Sequence, residues 1–441
     1  MNAATRRVAA ATGALTLVAT ALLGTVQLTT AAYTDEARAE IGALTADVPP
    51  VVAAIRQANA VDTTAAIVEG RLYLWGFLGA GANPGGGALG AGEGAVRMPS
   101  LFRPLTDVVD VSANAYGYKA IDASGRLWTW GTNGYNENGG LPGAVPASWT
   151  PLDTDVRSVA SSEYANAWLK ADGSVWTTGT PAFGQRGNGN SLPQVNPTRV
   201  TFPAGTGALV YVGAAYEGFY AVDDASRVYF WGRDYRGGAG NGLHGDRYVT
   251  TPVEVPALTA LVASEGLAYL GGGYAFGTLL TEKGDVYTWG SAENNAHGGA
   301  PGSWTALDGR DLGDPKLLLT GVEDVAVSFQ TGRALMADGT VQAWGARLWG
   351  GAFRLPSGAI NSTNALAVVY DGGKGPAVEV GGSKDVGSYT LADGTLWTWG
   401  ENGFGAACGG LTYAACARSV TSTGATNGLY VWPAHQVEVT P

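Results

Sequence analysis

The stretch GTLWTWG at residues 394–400 recurs along the chain with small changes. Related copies are GRLYLWG at 70–76, GRLWTWG at 125–131 and GDVYTWG at 284–290. A Trp-Gly pair closes six copies, and a seventh, GSVWTTG at 173–179, has Thr178 in place of the tryptophan. These positions lie 48 to 58 residues apart and are Trp75, Trp130, Thr178, Trp231, Trp289, Trp344 and Trp399. A period of this size is typical of a repeat architecture.

Side chains within each copy alternate with the period of a β-strand. The residue three places before the Trp position is Leu or Val in all seven copies, and the next residue is aromatic in six of them. One face of the strand therefore carries aromatic rings, the other carries mainly aliphatic or Thr side chains, and neither is charged. A strand that is apolar on both faces is covered on both sides.

Each copy is surrounded by signals for further strands. Asp-Gly pairs at 172–173, 338–339 and 393–394 predict tight hairpins before the Trp-Gly strand. The sequence pattern predicts additional strands at 108–113, 117–122, 218–223, 252–255, 315–319 and 322–328. Four short antiparallel strands, repeated seven times with both faces buried, predict an all-β fold: a seven-bladed β-propeller of four-stranded antiparallel blades.

The predicted propeller occupies residues 63–441, after a leader segment at 33–62 and an N-terminal segment at 1–32. The stretch HQVEVTP at 435–441 resembles PVEV at 252–255, a segment that precedes the next copy. We therefore expect the C-terminal strands to complete the blade that begins near residue 63, so that both chain ends share one sheet.

Residues 1–32 have the features of an export signal. Arg6 and Arg7 precede a largely apolar, uncharged run at 8–28, and small residues at 30–32 precede Tyr33. The run is long enough to span a bilayer, so the segment is either a cleaved signal or a retained membrane anchor. The sequence thus predicts a secreted, extracellular protein.

The chain is acidic, with a formal net charge of −11. Without residues 1–32 it has 24 basic and 37 acidic residues, a net charge of −13. Such a surface repels phosphate backbones and anionic lipid, so neither nucleic acid nor a membrane surface is an expected partner beyond the N-terminal segment. We expect a monomer.

Cys408 and Cys416 are the only cysteines, and export would permit a disulfide between them.

The phrase A-h-x-x-D-G-x-h-aromatic-x-W-G, in which h is hydrophobic, resembles the repeats of the regulator-of-chromosome-condensation family of β-propellers. Glycine-rich loops such as GFGAACGG after the phrase add to the resemblance, which covers about 70–441 and implies seven blades. The best-known family activity is nucleotide exchange on a nuclear GTPase by a propeller that is docked on chromatin. This activity does not suit an exported, acidic chain. A secreted propeller that inhibits β-lactamase is more similar in context and implies a rigid ring whose loops grip another protein.

Motifs for cofactors, metals or hydrolysis are weak. GGGALG at 85–90 fits the G-x-G-x-x-G form but lies in a glycine-rich stretch without a βαβ context. Asp308, Asp311 and Asp314 offer oxygen ligands without the spacing of a calcium loop. His244, two residues from an aspartate, lacks the surroundings of a catalytic triad. We therefore predict no catalytic residue, no cofactor and no metal.

Loops after the Trp-Gly pairs vary between copies, and we expect them to emerge on one rim of the ring. Their aromatic and polar side chains have the composition of binding surfaces. The candidate binding residues are Asn133, Tyr135, Arg233, Tyr235, Arg236, Trp349, Glu401 and Phe404. The sequence favours a non-enzymatic propeller that binds an extracellular protein. The alternatives are a carbohydrate-binding propeller and a glycan-active or hydrolytic enzyme whose site is assembled across blades.

Overall fold

A computed structural model gives the protein 27 β-strands and one α-helix over the residues it describes. Those residues are 52–54, 63–68, 70–76, 96–101, 105–114, 117–131, 133–140, 150–190, 192, 195–291, 296–298, 311–345, 366–382, 386–401 and 430–437. The prediction of an all-β fold therefore holds apart from one helix.

The strands form small antiparallel sheets, each built from strands that are consecutive in the chain. Sheet 1 contains β1 (Val52–Ala54), β2 (Thr63–Val68), β3 (Arg71–Gly76) and β4 (Val96–Leu101). Sheet 2 contains β5 (Val108–Asn114), β6 (Gly117–Asp122) and β7 (Leu127–Gly131). Sheet 3 contains β8 (Val156–Ser161), β9 (Ala165–Lys170), β10 (Val175–Gly179) and β11 (Thr198–Arg199).

The second half of the chain repeats the same plan. Sheet 4 contains β12 (Leu209–Ala215), β13 (Gly218–Asp223), β14 (Val228–Tyr235) and β15 (Asp246–Glu254). Sheet 5 contains β16 (Tyr269–Gly273), β17 (Phe276–Leu280), β18 (Val286–Gly290) and β19 (Leu312–Leu319). Sheet 6 contains β20 (Val322–Ser328), β21 (Thr331–Met336), β22 (Val341–Gly345) and β23 (Leu366–Tyr370). Sheet 7 contains β24 (Ala377–Gly382), β25 (Val386–Leu391), β26 (Leu396–Glu401) and β27 (Tyr430–Val437).

Six of these sheets have four strands within the described residues, and sheet 2 has three. Four-stranded antiparallel blades are therefore confirmed, but the prediction of seven such blades is wrong. At the outer edge of sheet 2, a single bridge between Leu127 and Asp153 stands where the other sheets have a fourth strand. Residues 141–149, which precede this bridge, lie outside the described part of the chain.

The sheets follow one another around a common axis, which makes the fold a β-propeller. The first strands of successive sheets contact each other from β5 through β8, β12, β16 and β20 to β24. β24 in turn contacts β1, and sheet 1 meets sheet 2 through β2 and β5. The first strand of each sheet is thus the innermost.

The ring closes without a sheet shared by both chain ends, which corrects the closure predicted from the sequence. β27 pairs with β26, with Val437 opposite Leu396, and β1 pairs with β2, with Val52 opposite Val68. Residues 52–54, inside the predicted leader segment, therefore supply the first strand of sheet 1. Because every sheet is made of consecutive strands, the C-terminal strand stays in sheet 7.

The six tryptophans of the Trp-Gly pairs are buried, as the two-sided apolar pattern predicts. In sheet 5 the indole packs against a glycine of the adjacent strand, since a Cβ atom at Gly277 would lie 2.2 Å from Trp289. Equivalent glycines face the tryptophans of sheets 6 and 7. The repeated phrase is therefore scaffold, and its tryptophans are unavailable to a ligand.

The one helix, α1 (Pro256–Glu265), connects sheet 4 to sheet 5. Its Leu258 and Val262 are buried, and it contacts β14 and β19. Proline at the first helical position costs no hydrogen bond because that N–H has no partner within a helix. In the described ranges, no helix is both long and apolar enough to cross a membrane.

Candidate functional site: an aromatic rim

Two kinds of connection meet at one end of the propeller. Because neighbouring strands are antiparallel, the turn between the first and second strands and the loop between the third and fourth strands lie at the same end of each blade. Partly exposed aromatic side chains from both connections line this end. We call this set the aromatic rim, and its described members are Tyr135, Tyr164, Phe183, Tyr216, Tyr235, Tyr248, Tyr274 and Phe329.

Three rings of the rim converge on the axis. Tyr216, Tyr274 and Phe329 occupy the inner turns of sheets 4, 5 and 6, and we call them the mouth trio. The ring centroids are 4.9 Å apart for Tyr216 and Tyr274, 5.1 Å for Tyr274 and Phe329, and 5.4 Å for Tyr216 and Phe329. Tyr216 and Phe329 come from sheets that are not neighbours, so both side chains must lean toward the axis. The trio therefore lies near the axis, at one end of the propeller.

Main-chain hydrogen bonds fix the turns that carry the trio. The Glu163 N–H donates to the Tyr216 main-chain oxygen at 2.7 Å, and the Tyr274 N–H donates to the Phe329 main-chain oxygen. Burial, together with the nearby Glu163 carboxylate, raises the pKa of the Tyr216 phenol well above its usual range. Tyr216 is therefore neutral at physiological pH and presents an uncharged ring.

A second group of rings extends outward over sheets 2 to 4. The ring centroids of Tyr135 and Tyr164 are 4.8 Å apart, those of Tyr164 and Phe183 6.2 Å, and those of Phe183 and Tyr248 5.5 Å. Tyr135 is the most open of the predicted candidates among the described residues, with 41% of its surface exposed. These rings form a continuous band rather than isolated side chains.

Two of the outer rings are positioned by the same local device. The Glu137 carboxylate accepts the main-chain N–H of Tyr135 at 3.0 Å, two residues earlier. The Gln185 side-chain oxygen accepts the main-chain N–H of Phe183 at 3.0 Å in the same way. Each loop thus folds into a fixed turn that presents its ring at the rim.

Arg233 joins the outer band to the mouth trio. Its guanidinium carbon lies 5.2 Å from the Phe183 ring centroid and 4.7 Å from that of Tyr235, and Tyr235 lies 5.9 Å from Tyr274. The guanidinium donates two hydrogen bonds of 2.7 Å to Asp246 and a third of 2.7 Å to Glu217. Because its donors are engaged within the protein, Arg233 positions the rings.

The other predicted candidates divide into structural residues and residues outside the described part. The Asn133 side-chain oxygen accepts the Asn138 N–H at 2.8 Å, which stabilises its own loop. Arg236 donates to Ser291 at 3.0 Å and lies 3.6 Å from the Asp311 carboxylate. Glu401 ends β26, but its side chain lies outside the described residues, as do Trp349 and Phe404. Cys408 and Cys416 also lie outside them, so their pairing stays a prediction.

A small, open cleft lies beside the trio. It is lined by alanines and glycines and by Tyr216, Glu217, Arg233, Tyr235, Tyr274 and Phe276. Burial raises the pKa of the Glu217 carboxyl, while its hydrogen bond with Arg233 opposes that shift. The cleft offers aromatic faces and carboxylate oxygens, which suit stacking and hydrogen bonding.

The weaker chemical motifs do not converge on this cleft. Asp246, near His244 in sequence, is engaged by Arg233. Asp311 faces Arg236, Asp308 lies outside the described ranges, and so does the glycine-rich stretch at 85–90. Within the described residues, no three His, Cys, Asp or Glu side chains are grouped so as to hold a metal ion.

Sequence reasoning missed the inner part of the rim. The trio residues and Tyr164 precede the second strand of their sheets, in the short stretches AYEG, GYAF, SFQT and EYA. An aromatic residue at the same turn in successive copies was the available signal. Phe183 was missed because its copy has Thr178 at the Trp position.

No protein-family model matches the chain. It is 30% identical over 240 residues to the RCC1 domain-containing protein RUG3, mitochondrial, of Arabidopsis thaliana, a match that spans 52% of this chain and 40% of that protein. It is 27% identical over 206 residues to the E3 ubiquitin-protein ligase HERC2 of Homo sapiens, spanning 45% of this chain and 4% of that protein. The chain thus spans less than half the length of these curated relatives.

Solved structures support the same fold. Human WBSCR16 superposes with a TM-score of 0.64 at 15% identity, covering 84% of this chain and 94% of that chain. Prp20p from Saccharomyces cerevisiae gives a TM-score of 0.64 at 14% identity, covering 94% and 91%. The fold and the rim define a β-propeller with four-stranded blades and an aromatic, loop-built end. These relatives and structures include RCC1-type β-propellers, and the repeats of this chain are similar to theirs.

Proposed function

We propose that this protein is an exported, non-enzymatic propeller that binds a protein partner through the aromatic rim. The observation that carries the proposal is the continuous band of partly exposed rings, held by Arg233 and by the turn hydrogen bonds. Exposed aromatic side chains on a rigid frame are typical anchors of protein interfaces. Sheet 2 completes the ring as a seventh, reduced blade.

The relatives support a protein-binding function. One solved structure shows Kap60 bound to yeast RCC1 (Prp20), and another study of Prp20p concerns its binding to Gsp1p and histones. Kap60, Gsp1p and histones are partners of the yeast protein. The common feature that we transfer is the use of a propeller as a protein-binding platform.

A carbohydrate is the second candidate ligand, since partly exposed tyrosines also stack on sugar rings. Stacking on a sugar needs one open, flat ring face. In the mouth trio, Tyr216 meets Tyr274 at an interplanar angle of 81° and Phe329 at 69°. The trio thus presents ring edges as well as ring faces rather than one flat platform, which favours a protein over a sugar.

We also propose that the protein is exported, and this can be tested separately from binding. Arg6 and Arg7, followed by the apolar run, support it. Expression of the full chain in a secreting host, followed by mass spectrometry of the N-terminus, should show a protein in the medium that begins near Tyr33. A retained, membrane-bound protein with an intact N-terminus would support an anchor, and an intact protein in the cytoplasm would overturn export.

Binding is tested by capture of extracellular proteins and cell-wall glycans on the immobilised full chain. The rim variant carries Tyr164→Ser, Tyr216→Ser and Tyr274→Ser. The control variant carries Val109→Ser and Val378→Ser, two exposed side chains near the starts of β5 and β24, at the opposite end of the blades. We expect a specific protein to be captured by the wild type and the control but not by the rim variant. Loss of capture in the presence of free sugars would instead indicate a glycan ligand. Capture by all three proteins would contradict the proposal that the aromatic rim is the binding surface.

A further inference from the structure

We propose that the boundary between sheets 2 and 3 is a buried hydration site, in which ordered water bridges the Lys119 amine to the Glu137 carboxylate or the Asn166 amide oxygen. The site lies between two blades and does not depend on any partner that binds at the aromatic rim. Its residues stand where other boundaries of the propeller have a tryptophan packed on a glycine.

Sheet 3 lacks the tryptophan-glycine contact of sheet 5. In sheet 5, Trp289 lies opposite Gly277 on the adjacent strand. Thr178 and Asn166 hold these two register positions in sheet 3. The Thr178 hydroxyl and Asn166 Nδ2 both donate to the main-chain oxygen of Glu137, at 2.7 and 2.9 Å. Two polar side chains, together smaller than an indole, therefore face the residues that follow sheet 2.

Lys119 of sheet 2 faces the same boundary. It lies opposite Ser112 on one neighbouring strand and Thr129 on the other, so the three side chains share one face of the sheet. Tyr220 holds the corresponding position in sheet 4, and its ring contacts Trp289 of the next sheet. By the same geometry, the face of sheet 2 that carries Lys119 is directed toward sheet 3.

Six buried polar atoms on the two sides of this boundary have no hydrogen-bond partner among the described residues. They are Ser112 Oγ, Lys119 Nζ, Thr129 Oγ1, Glu137 Oε1, Ser161 Oγ and Asn166 Oδ1. None of these residues is more than 8% exposed. Six unpartnered groups would offset much of the stability of a whole domain. Buried polar groups that do not bond to one another are satisfied by ordered water.

The chemistry of these groups favours water over an ion. The Lys119 amine and the hydroxyls can donate, whereas Glu137 Oε1 and Asn166 Oδ1 can accept. Water does both, whereas an anion would meet the Glu137 carboxylate and a cation would meet the Lys119 ammonium. The Glu137 carboxylate raises the pKa of Lys119 against the larger effect of burial, yet Lys119 Nζ makes no direct hydrogen bond to it. A water between the two groups would bond to both.

A high-resolution crystal structure of the full chain tests the site directly. We expect a water at about 2.7–3.2 Å from Lys119 Nζ and from either Glu137 Oε1 or Asn166 Oδ1. A direct hydrogen bond between Lys119 Nζ and the Glu137 carboxylate, with no water at the boundary, would overturn the proposal. An ion bound at this position would also overturn it.

Magnetic relaxation dispersion of water nuclei counts long-lived internal waters in solution. One variant combines Asn166→Gly with Thr178→Trp, which restores the pairing of sheet 5 and places an indole at the boundary. A second variant, Lys119→Met, removes the amine. We expect each to lose at least one long-lived water relative to the wild type, whereas the control Thr201→Val, at an exposed position, should lose none.

Thermal melts show which variants are folded. An unchanged number of long-lived waters in every folded variant would overturn the hydration site, and the crystal structure of the wild type decides the question if neither variant folds. Because neither measurement involves a partner, a negative result here leaves the proposed protein-binding function intact.

Discussion

The Thr178 hydroxyl donates a hydrogen bond of 2.7 Å to the main-chain oxygen of Glu137, across the boundary between sheets 2 and 3. At the next boundary, Trp231 Nε1 donates to the main-chain oxygen of Gln185 at 2.9 Å. The boundary after that has the same tryptophan-to-carbonyl bond. Thr178 therefore preserves the hydrogen bond of the tryptophan that it replaces, without the ring.

Replacing Thr178 by Val should show what this bond contributes. The change keeps the shape and removes the donor, and we expect the free energy of unfolding to fall by about 1 kcal/mol. Asn166 Nδ2 also donates to the Glu137 oxygen at 2.9 Å, which limits the loss. Urea denaturation measures it, with Thr201→Val, at an exposed position, as the control. Equal stability of both variants would contradict the role of the bond.

The Trp-Gly tryptophans should be the main stabilising side chains between blades. Trp289 is fully buried and packs on Gly277, so Trp289→Ala should cost about 3–5 kcal/mol in the free energy of unfolding. Trp176→Ala is the matched control, because Trp176 is partly exposed and its Nε1 bonds to Ser174 within its own turn. We expect a clearly smaller loss there. Similar losses at both positions would mean that burial between blades is not the cause.

The fold could be predicted from the sequence because its main signal is local. Period-two alternation and the Trp-Gly spacing gave β6 and β20 with the correct bounds, 117–122 and 322–328. The closure of the ring could not be predicted, since β1 has only three residues, too few to show a period. Within the described residues, sheet 2 has a single bridge at Leu127 in place of a fourth strand. The sequence pattern does not indicate this difference.

The candidate site was only partly predictable, for a physical reason. Tyr135 and Tyr235 follow a Trp-Gly pair, so the repeat marked them. Tyr216 and Phe329 are far apart in sequence and lie in turns of two sheets that are not neighbours. Their contact depends on the curvature of the ring and on how far each side chain leans inward, and no local pattern encodes either.

Lys119 lies in the interior next to the sheet that lacks the tryptophan. It is fully buried at the register position that Tyr220 holds in sheet 4, where that ring contacts Trp289 at 6.1 Å. Burial lowers the pKa of the Lys119 ammonium from 10.5 to about 7, although the Glu137 carboxylate opposes the shift. Sheet 2 thus places a buried amine at the position where sheet 4 has an aromatic ring.

This lowered pKa predicts a pH dependence of stability. Between about pH 7 and 10.5 the unfolded chain binds a proton at Lys119 that the folded chain has lost, so the Lys119 contribution to the free energy of unfolding rises with pH. In Lys119→Met that contribution is absent. The wild type should therefore gain stability relative to the variant from pH 7 to pH 10, measured by denaturation at several pH values. A difference that stays constant would contradict the buried amine.

Arg233 should be more important for the rim than an ordinary surface arginine. Arg233→Lys keeps the charge but loses the fork to Asp246 and the stacking on Phe183 and Tyr235. We expect a loss of about 1.5–3 kcal/mol in stability, the range for hydrogen bonds to charged groups, and weaker partner capture. Arg126→Lys is the control, since Arg126 pairs with Asp122 from an exposed position. Equal effects would show that Arg233 does not organise the rim.

The most direct test of the central claim, that the aromatic rim binds a protein, is site-specific photo-crosslinking in the full chain. Benzoylphenylalanine replaces Tyr216 at the mouth trio in one protein and Val378 at the opposite end in another. If the rim binds a protein, illumination with extracellular proteins should give a specific crosslinked protein from position 216 that is absent from position 378. Crosslinking from position 378 alone, or only to glycans at position 216, would contradict it.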